Sequence, residues 1–323
     1  MRHKTILKVG NLSVSRKNKE KTIKLVKNMD FQLEQGGILG IVGESGSGKE
    51  ILPKAILGLL DQKEHVLSGE VLYLENDILS MNGHDLMKIR GREISHLPAD
   101  PALALNPYAT IGRQVDILRK HLGSAWSRES MDELLVNLGI EDFKRISKVY
   151  VSGLGDELAY RILLAMAIAS KPKILIVEDP AACFDGLKKK EILVLLKKIS
   201  IDYRISVIVL TSDFDSARLV CDRIIIMYRG LVIEEGTVNQ LLENTRHPYS
   251  LGLIKSIESH MGKNEVLYTT RRGESRLDEA RRICPFVRGC SRRKFYCSEE
   301  MPELTGEGLH KTRCFNPVGG SES

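Results

Sequence analysis

The chain reads as α/β, a mostly parallel sheet covered by helices and built round a phosphate-binding loop. Three observations predict this. First, the apolar run Ile38-Leu39-Gly40-Ile41-Val42 leads into Gly43-Glu44-Ser45-Gly46-Ser47-Gly48-Lys49, and Ile51 to Leu60 follows at helical spacing. A strand, then G-x-x-x-x-G-K, then a helix is the setting in which that spacing carries chemistry. Second, short apolar runs alternate with longer stretches of helical period, the pattern of a sheet whose crossovers are helices. Third, 42% of the 323 residues are hydrophobic, enough for a substantial core.

Taken in order, Ile6 to Val14 and Ile23 to Leu33 alternate like strands, with a Lys-rich turn from Arg16 to Lys21 between them. The phosphate loop and its strand follow. Ser68 to Leu74 reads as a strand and His84 to Arg92 as a charged helix. Ile94 to Leu97 is a short strand stopped by Pro98, and Pro101 with Asn106-Pro107 marks a loop. Ile111 to Leu122 and Ser130 to Leu138 have helical periodicity, with Ser127 as a cap. Tyr160 to Ala169 is an apolar helix. Ile174 to Val177 is a buried strand ending in Glu178-Asp179. Leu187 to Ile201 is an amphipathic helix and Val207 to Leu210 a buried strand. Ile224 to Met227 and Leu231 to Ile233 form a hairpin turning at Arg229-Gly230. Beyond about Ser259 the pattern fades into a charged linker. The expected domains are therefore 1–258, with a helical subdomain at about 108–165, and an extension at 259–323.

The loop's residue types fit an anion. Its glycines let backbone N–H groups curl round a phosphate, the helix start adds partial positive charge, and Lys49 adds a full one. Gly43, Glu44, Ser45, Gly46, Ser47, Gly48 and Lys49 are thus the candidate nucleotide-binding residues. Position 50 breaks the motif. A Ser or Thr hydroxyl that would bind Mg²⁺ is expected there, and the chain has Glu50.

Composition excludes several classes. No run of 18 apolar residues exists to span a membrane, and the N-terminus lacks the apolar core of a signal peptide, so a cytosolic setting is expected. Net charge is +6, and Arg271 to Cys297 alone carries nine Lys/Arg against three Asp/Glu. A nucleic-acid surface is one reading of that cluster. A solvated or cofactor-facing surface is the preferred one, so no nucleic-acid partner is expected. Cys183 and Cys221 lie in apolar contexts and read as core. Cys284, Cys290, Cys297 and Cys314 crowd the last forty residues. In a cytosolic chain that crowding favours metal or cluster ligation over disulfides. The gaps match neither common zinc nor common ferredoxin spacing.

Taken together, these stretches resemble the nucleotide-binding subunits of ABC importers, in the oligopeptide/dipeptide/nickel branch. The resemblance rests on Gly40 to Lys49, Leu105-Asn106-Pro107 with Ile111-Gly112 and Gln114, Lys171 to Ile176, Cys221-Asp222-Arg223 through Met227-Tyr228, Gly230 and Glu234-Glu235-Gly236. His247-Pro248-Tyr249-Ser250 and the four-Cys tail with Cys284-Pro285-Phe286 extend it over nearly the whole chain. It implies a phosphate-loop ATPase core with an antiparallel β subdomain, a helical subdomain and a small Cys-rich C-terminal extension. It also implies ATP as ligand, two such subunits paired head to tail, two transmembrane permeases, an extracytoplasmic substrate-binding protein, and a place at the cytoplasmic face of the membrane. A [4Fe–4S] cluster on the four cysteines is implied, with zinc or free thiols as alternatives.

Measured against that family, almost every catalytic element departs. Arg16 stands where an aromatic would stack on adenine, although a guanidinium plane also stacks. Glu50 replaces the metal-binding hydroxyl, and Pro53 sits early in the next helix. Ungapped reading puts Ala99 at the glutamine that senses γ-phosphate. The signature falls on Leu154-Gly155-Asp156-Glu157-Leu158, where two carboxylates replace two glycines; a shifted reading through Ser152-Gly153 needs three extra residues before the helix. Glu178 and Asp179 exchange the usual Asp-Glu order, so the general base at Asp179 is one methylene short, in a role worth roughly 10²–10⁴ in rate. Asp185 is kept, and Ser212 replaces the switch histidine. The expectation is a degenerate ATP-binding subunit partnered by a second, more regular ATPase subunit. The alternatives are a functional ATPase with unusual motifs and a non-transport regulatory protein.

Overall fold

The computed structural model describes residues 4–17, 22–123, 128–180, 182, 184–260 and 283–319. Ser127, Cys183, most of the Lys-rich turn and the linker at 261–282 lie outside them. The chain divides into two units, one made of Ser80–Ile208 with Glu34–Gly37, the other of Thr5–Leu33, Ile38–Leu79 and the chain from Val209 onward. The α/β class is confirmed in both.

In the first unit, Ile94–Leu97 runs parallel to Ile174–Glu178, in register from Ile94 opposite Ile174 to Leu97 opposite Val177. Ile174 to Val177 are wholly buried, as expected of a parallel strand with both faces covered. Local chemistry sets the helix ends. Asn82 caps Gly83–Ile89 by accepting from the Asp85 N–H. Thr110 caps Ile111–Leu122, which stops at Gly123 with φ 81. Asp156–Ile168 buries Tyr160, Ile162, Leu164, Ala165 and Ile168, so its apolar composition reflects cover on most sides. Gly186–Tyr203 ends on Arg204 in the left-handed region.

The second unit holds two sheets. In one, Thr22–Glu34 lies beside Thr5–Lys17, which pairs antiparallel with His65–Tyr73, and that strand with Asn76–Asp77. Met29, Phe31 and Leu33 are buried and alternate with exposed neighbours, the signature of a sheet with one wet face. In the other, Ile38–Val42 is parallel to Arg223–Tyr228, which turns back antiparallel as Leu231–Thr237. The turn at Arg229-Gly230 has positive φ at both residues, 48° and 80°, the tight hairpin geometry in which the second position favours glycine. His310–Thr312 then adds to Leu231–Thr237, and Thr305–Glu307 adds to it in turn. The Cys-bearing tail is therefore stitched into this unit by backbone pairing.

Two points differ from the sequence reading. The stretch after the phosphate loop is a short 3₁₀ turn, Lys49–Ile51, and then Leu52–Ile56, ending before Gly58 at φ 62. Pro53 is tolerated because it falls in the first turn, where its missing N–H costs nothing. So short a helix contributes little of the expected dipole. The helices Phe214–Val220, Val238–Glu243 and Pro248–His260 were not read from the sequence. Val238–Glu243 carried a signal, a capping box in which Thr237 and Gln240 satisfy each other's backbone N–H. Among the described residues no helix is long and apolar enough to cross a membrane.

Candidate functional site

The phosphate loop is held from several sides within the second unit. The Gly43 N–H donates to the Thr211 carbonyl at 3.1 Å, and the Ser47 N–H to Glu44 O at 3.0 Å. The hairpin turn braces it, because the Gly230 N–H donates to Ser47 O at 2.7 Å. Two glycines are required by space. A Cβ on Gly43 would lie 2.6 Å from Ser47 Oγ, and one on Gly48, at φ 99, would collide with the Leu25 carbonyl. Lys49 is buried although charged, a costly state unless an anion is near.

That anion is Glu50. Its Oε1 accepts from the Lys49 Nζ at 3.1 Å and from the Gly46 N–H at 3.1 Å. Partial burial opposes ionisation of Glu50. Hydrogen bonds from its own N–H and from Lys49, the Lys49 charge and the Gly46 N–H outweigh it and lower the pKa. Ser47 Oγ is buried with no hydrogen-bond partner. Ser212, at the expected switch position, lies in a bend after Ser206–Thr211. The adjoining Asp213 caps Phe214–Val220, accepting from the Asp215 N–H at 3.0 Å and the Ser216 hydroxyl at 2.6 Å. Arg16 is exposed near the end of its strand, opposite His65.

Sequence reasoning missed Tyr249 as a neighbour of this loop. Its phenol is pushed up, first by burial and then by the Glu44 carboxylate. Its ring packs against Tyr228 at 4.7 Å and Phe286 at 5.5 Å. Phe286 belongs to the Cys-rich tail.

The first unit carries the other predicted residues. Glu178 ends the strand Ile174–Glu178, and His96 Nε2 lies 3.1 Å from its Oε1, outside hydrogen-bonding alignment. Asp179 adopts φ 36, a left-handed conformation that is costly for a residue with a side chain. Ala99 lies between the strand Ile94–Leu97 and the helix Pro101–Ala104. At the expected signature position Gly155 caps the helix Asp156–Ile168 without a side-chain hydrogen bond. Glu157 has partners of its own. Its Oε1 accepts from Arg161 Nε at 3.2 Å and Nη2 at 3.0 Å, and Lys188 Nζ is 3.6 Å from Oε2. Arg161 is fixed in turn on the Leu138 carbonyl at 2.8 Å. Gly155, Asp156, Glu157, Arg161, Asp185 and Lys188 line a cleft of ≈ 630 Å³.

The tail requires a correction. Cys284, Cys290, Cys297 and Cys314 are free cysteines, yet among the described residues no group of three or more His, Cys, Asp or Glu converges as metal ligands. The iron–sulfur expectation and its zinc alternative therefore have no geometric support. Four thiols are the right donor chemistry, but they are placed as parts of a packed fold. The Cys284 N–H donates to the Cys297 carbonyl, and Cys297 Sγ accepts from the Lys294 N–H at 3.4 Å. Burial, with smaller contributions from the neighbouring thiols, pushes Cys284 up to about 12 and Cys314 up to about 11.

Comparison with known proteins fits these findings. Residues 26–182 match the family described as ABC transporter, and residues 233–297 match the oligopeptide/dipeptide transporter C-terminal region. The chain is 31% identical to the oligopeptide transport ATP-binding protein AppD of Bacillus subtilis over 96% of each chain. It is 32% identical to the dipeptide transport ATP-binding protein DppD of Haemophilus influenzae, covering 97% of this chain and 96% of the relative. Among solved structures, the dimeric post-hydrolysis ATP-binding cassette MJ0796 with ADP and Pi aligns with a TM-score of 0.63 at 26% identity. It covers 72% of this chain and 98% of its own.

Proposed function

The chain belongs to the ABC transporter ATP-binding subunits of the oligopeptide/dipeptide group, and on that premise we propose that it is the weaker ATPase of a peptide importer. In this reading it sits peripherally at the cytoplasmic face of the membrane. It pairs head to tail with a second, more regular ATPase subunit, beneath two permeases served by a substrate-binding protein. Residues 1–258 act as the nucleotide-binding domain and 259–323 as its extension.

ATP binding is assigned to the phosphate loop, and the observation that carries it is the buried Lys49 beside Gly43, Gly46 and Gly48. The carboxylate at position 50 suits Mg²⁺ chemistry, although here it faces Lys49. Weak hydrolysis is supported by Glu157. At the helix start that would meet a partner's γ-phosphate, this chain places a carboxylate already bonded to Arg161 and close to Lys188. Preorganised donors aimed at developing charge carry much of catalysis, and these donors are aimed at Glu157. Ala99 and Ser212 remove two further contacts.

The test is ATP titration of the full chain by calorimetry. Wild type should bind ATP and turn it over near background, and Lys49→Ala should abolish binding. Brisk turnover by the isolated chain that is lost in Asp179→Asn would overturn the degenerate reading.

A further inference from the structure

We propose that the Glu50 carboxylate is an internal occupant of the phosphate cradle, so that a nucleotide phosphate enters only by displacing it. This inference rests on the reading of the loop as an ATP site. The loop's donors are few, and Glu50 takes two of them with one oxygen. The Gly46 N–H and the Lys49 Nζ each lie 3.1 Å from Oε1. Both bonds are charge-assisted and therefore among the stronger ones. They close locally, across four residues and one residue, so little chain entropy opposes them.

Side-chain length makes the contact possible. Glu50 starts on the 3₁₀ turn Lys49–Ile51 and reaches back over the loop. A serine at the same position would end two bonds short and leave both donors open. The occupation is partial. Ser47 Oγ stays buried without a hydrogen-bond partner, a polar atom in the same loop that the carboxylate leaves unsatisfied. A phosphate arriving there must take Gly46 and Lys49 from Glu50. It must then tolerate the released carboxylate a few ångströms away, where like charges repel. Position 50 thus sets how much of the loop's affinity a nucleotide can use.

The experiment measures ATP affinity of the full-length chain in EDTA, so that no divalent cation masks the carboxylate. Wild type, Glu50→Gln, Glu50→Ala and Lys49→Ala are compared, each first matched to wild type by far-UV circular dichroism. Amide hydrogen exchange of the ligand-free loop is read alongside. Glu50→Gln should bind ATP about tenfold more tightly than wild type, since charge repulsion of this kind is steep at short range. Glu50→Ala should gain at least as much. The Gly46 amide should exchange faster in Glu50→Ala than in wild type. If both variants bind ATP no better than wild type, while Lys49→Ala still abolishes binding, the occupant role is wrong and the ATP site stands. If neither wild type nor the Glu50 variants bind ATP, the ATP-site reading itself fails and this inference falls with it. An unchanged Gly46 exchange rate in Glu50→Ala would also overturn it, because the contact would then not hold the loop in solution.

Discussion

His247 is a histidine that cannot easily charge. It is buried, and its Nδ1 accepts from the Tyr249 N–H at 3.1 Å. Burial, with a smaller push from the Arg313 charge, lowers its pKa from 6.5 to about 3. The sign of the consequence follows from proton counting. Below pH 6.5 the unfolded chain binds a proton at this residue that the folded chain refuses, so the stability present above 6.5 is lost as pH falls toward 3. Between pH 7 and pH 5 the loss from this one group should be about 2 kcal/mol. His247→Gln keeps an acceptor for the Tyr249 N–H but removes the titration. From urea titrations at the two pH values, its unfolding free energy should fall between pH 7 and pH 5 by about 2 kcal/mol less than that of wild type. Glu50 shows the same lesson at the surface. The residue that breaks the motif is visible in the sequence, but only its rotamer shows that it turns back onto Lys49 and Gly46 instead of toward solvent.

Among the elements, the strand Leu231–Thr237 joins parts of the chain far apart in sequence. Glu234, fully buried, accepts from the Arg246 N–H at 2.7 Å and the His247 N–H at 2.9 Å, and His310 Nε2 lies 3.1 Å away. One carboxylate thus fixes the entry to the helix Pro248–His260 and anchors the tail strand His310–Thr312. Glu234→Ala would strand several buried polar groups at once, each worth roughly 1–3 kcal/mol when unsatisfied. It should lower stability by about 3 kcal/mol or more and expose the tail to limited proteolysis. His310→Ala removes one partner and should cost about a third of that. Urea denaturation and protease digestion of the two variants would check the order. Glu234-Glu235-Gly236 was legible as a family landmark. Its role as a hub was not, since its partner is 76 residues away.

For the whole molecule, the proposed assembly turns on which half-sites are damaged. In a head-to-tail pair each nucleotide site draws a phosphate loop from one subunit and a signature from the other. In the proposed reading this chain alters its own loop at Glu50 and offers a signature occupied by Glu157. A homodimer would therefore carry two sites damaged on both sides, and a pair with a regular subunit two sites damaged on one side only. We expect the chain to co-purify with a distinct ATPase subunit and two permeases. Gly155→Ser combined with Asp156→Gly and Glu157→Gly would release Arg161 and Lys188 and restore the signature. The ATPase rate of the complex should rise by about tenfold or more, since single transition-state donors are worth roughly 10²–10³. An unchanged rate would show that the partner's site never relied on this helix start.

The sequence by itself determined most strands and helices of the core, the phosphate loop, and which residues stand where the family's catalytic motifs are expected. These are local properties. Ile38–Val42, Ile94–Leu97 and Ile111–Leu122 match their predicted bounds because hydrophobic period, Pro and Gly punctuation and capping residues act within a few positions. Tertiary structure alone decided two things. It brought Lys188 close to Glu157, and it built the four cysteines into a packed tail whose strand pairs with Leu231–Thr237. The physical reason is common to both. A long charged side chain or a short tail strand has no periodic signal of its own. Its partner is chosen by which unsatisfied donor or strand edge folding brings within hydrogen-bonding distance.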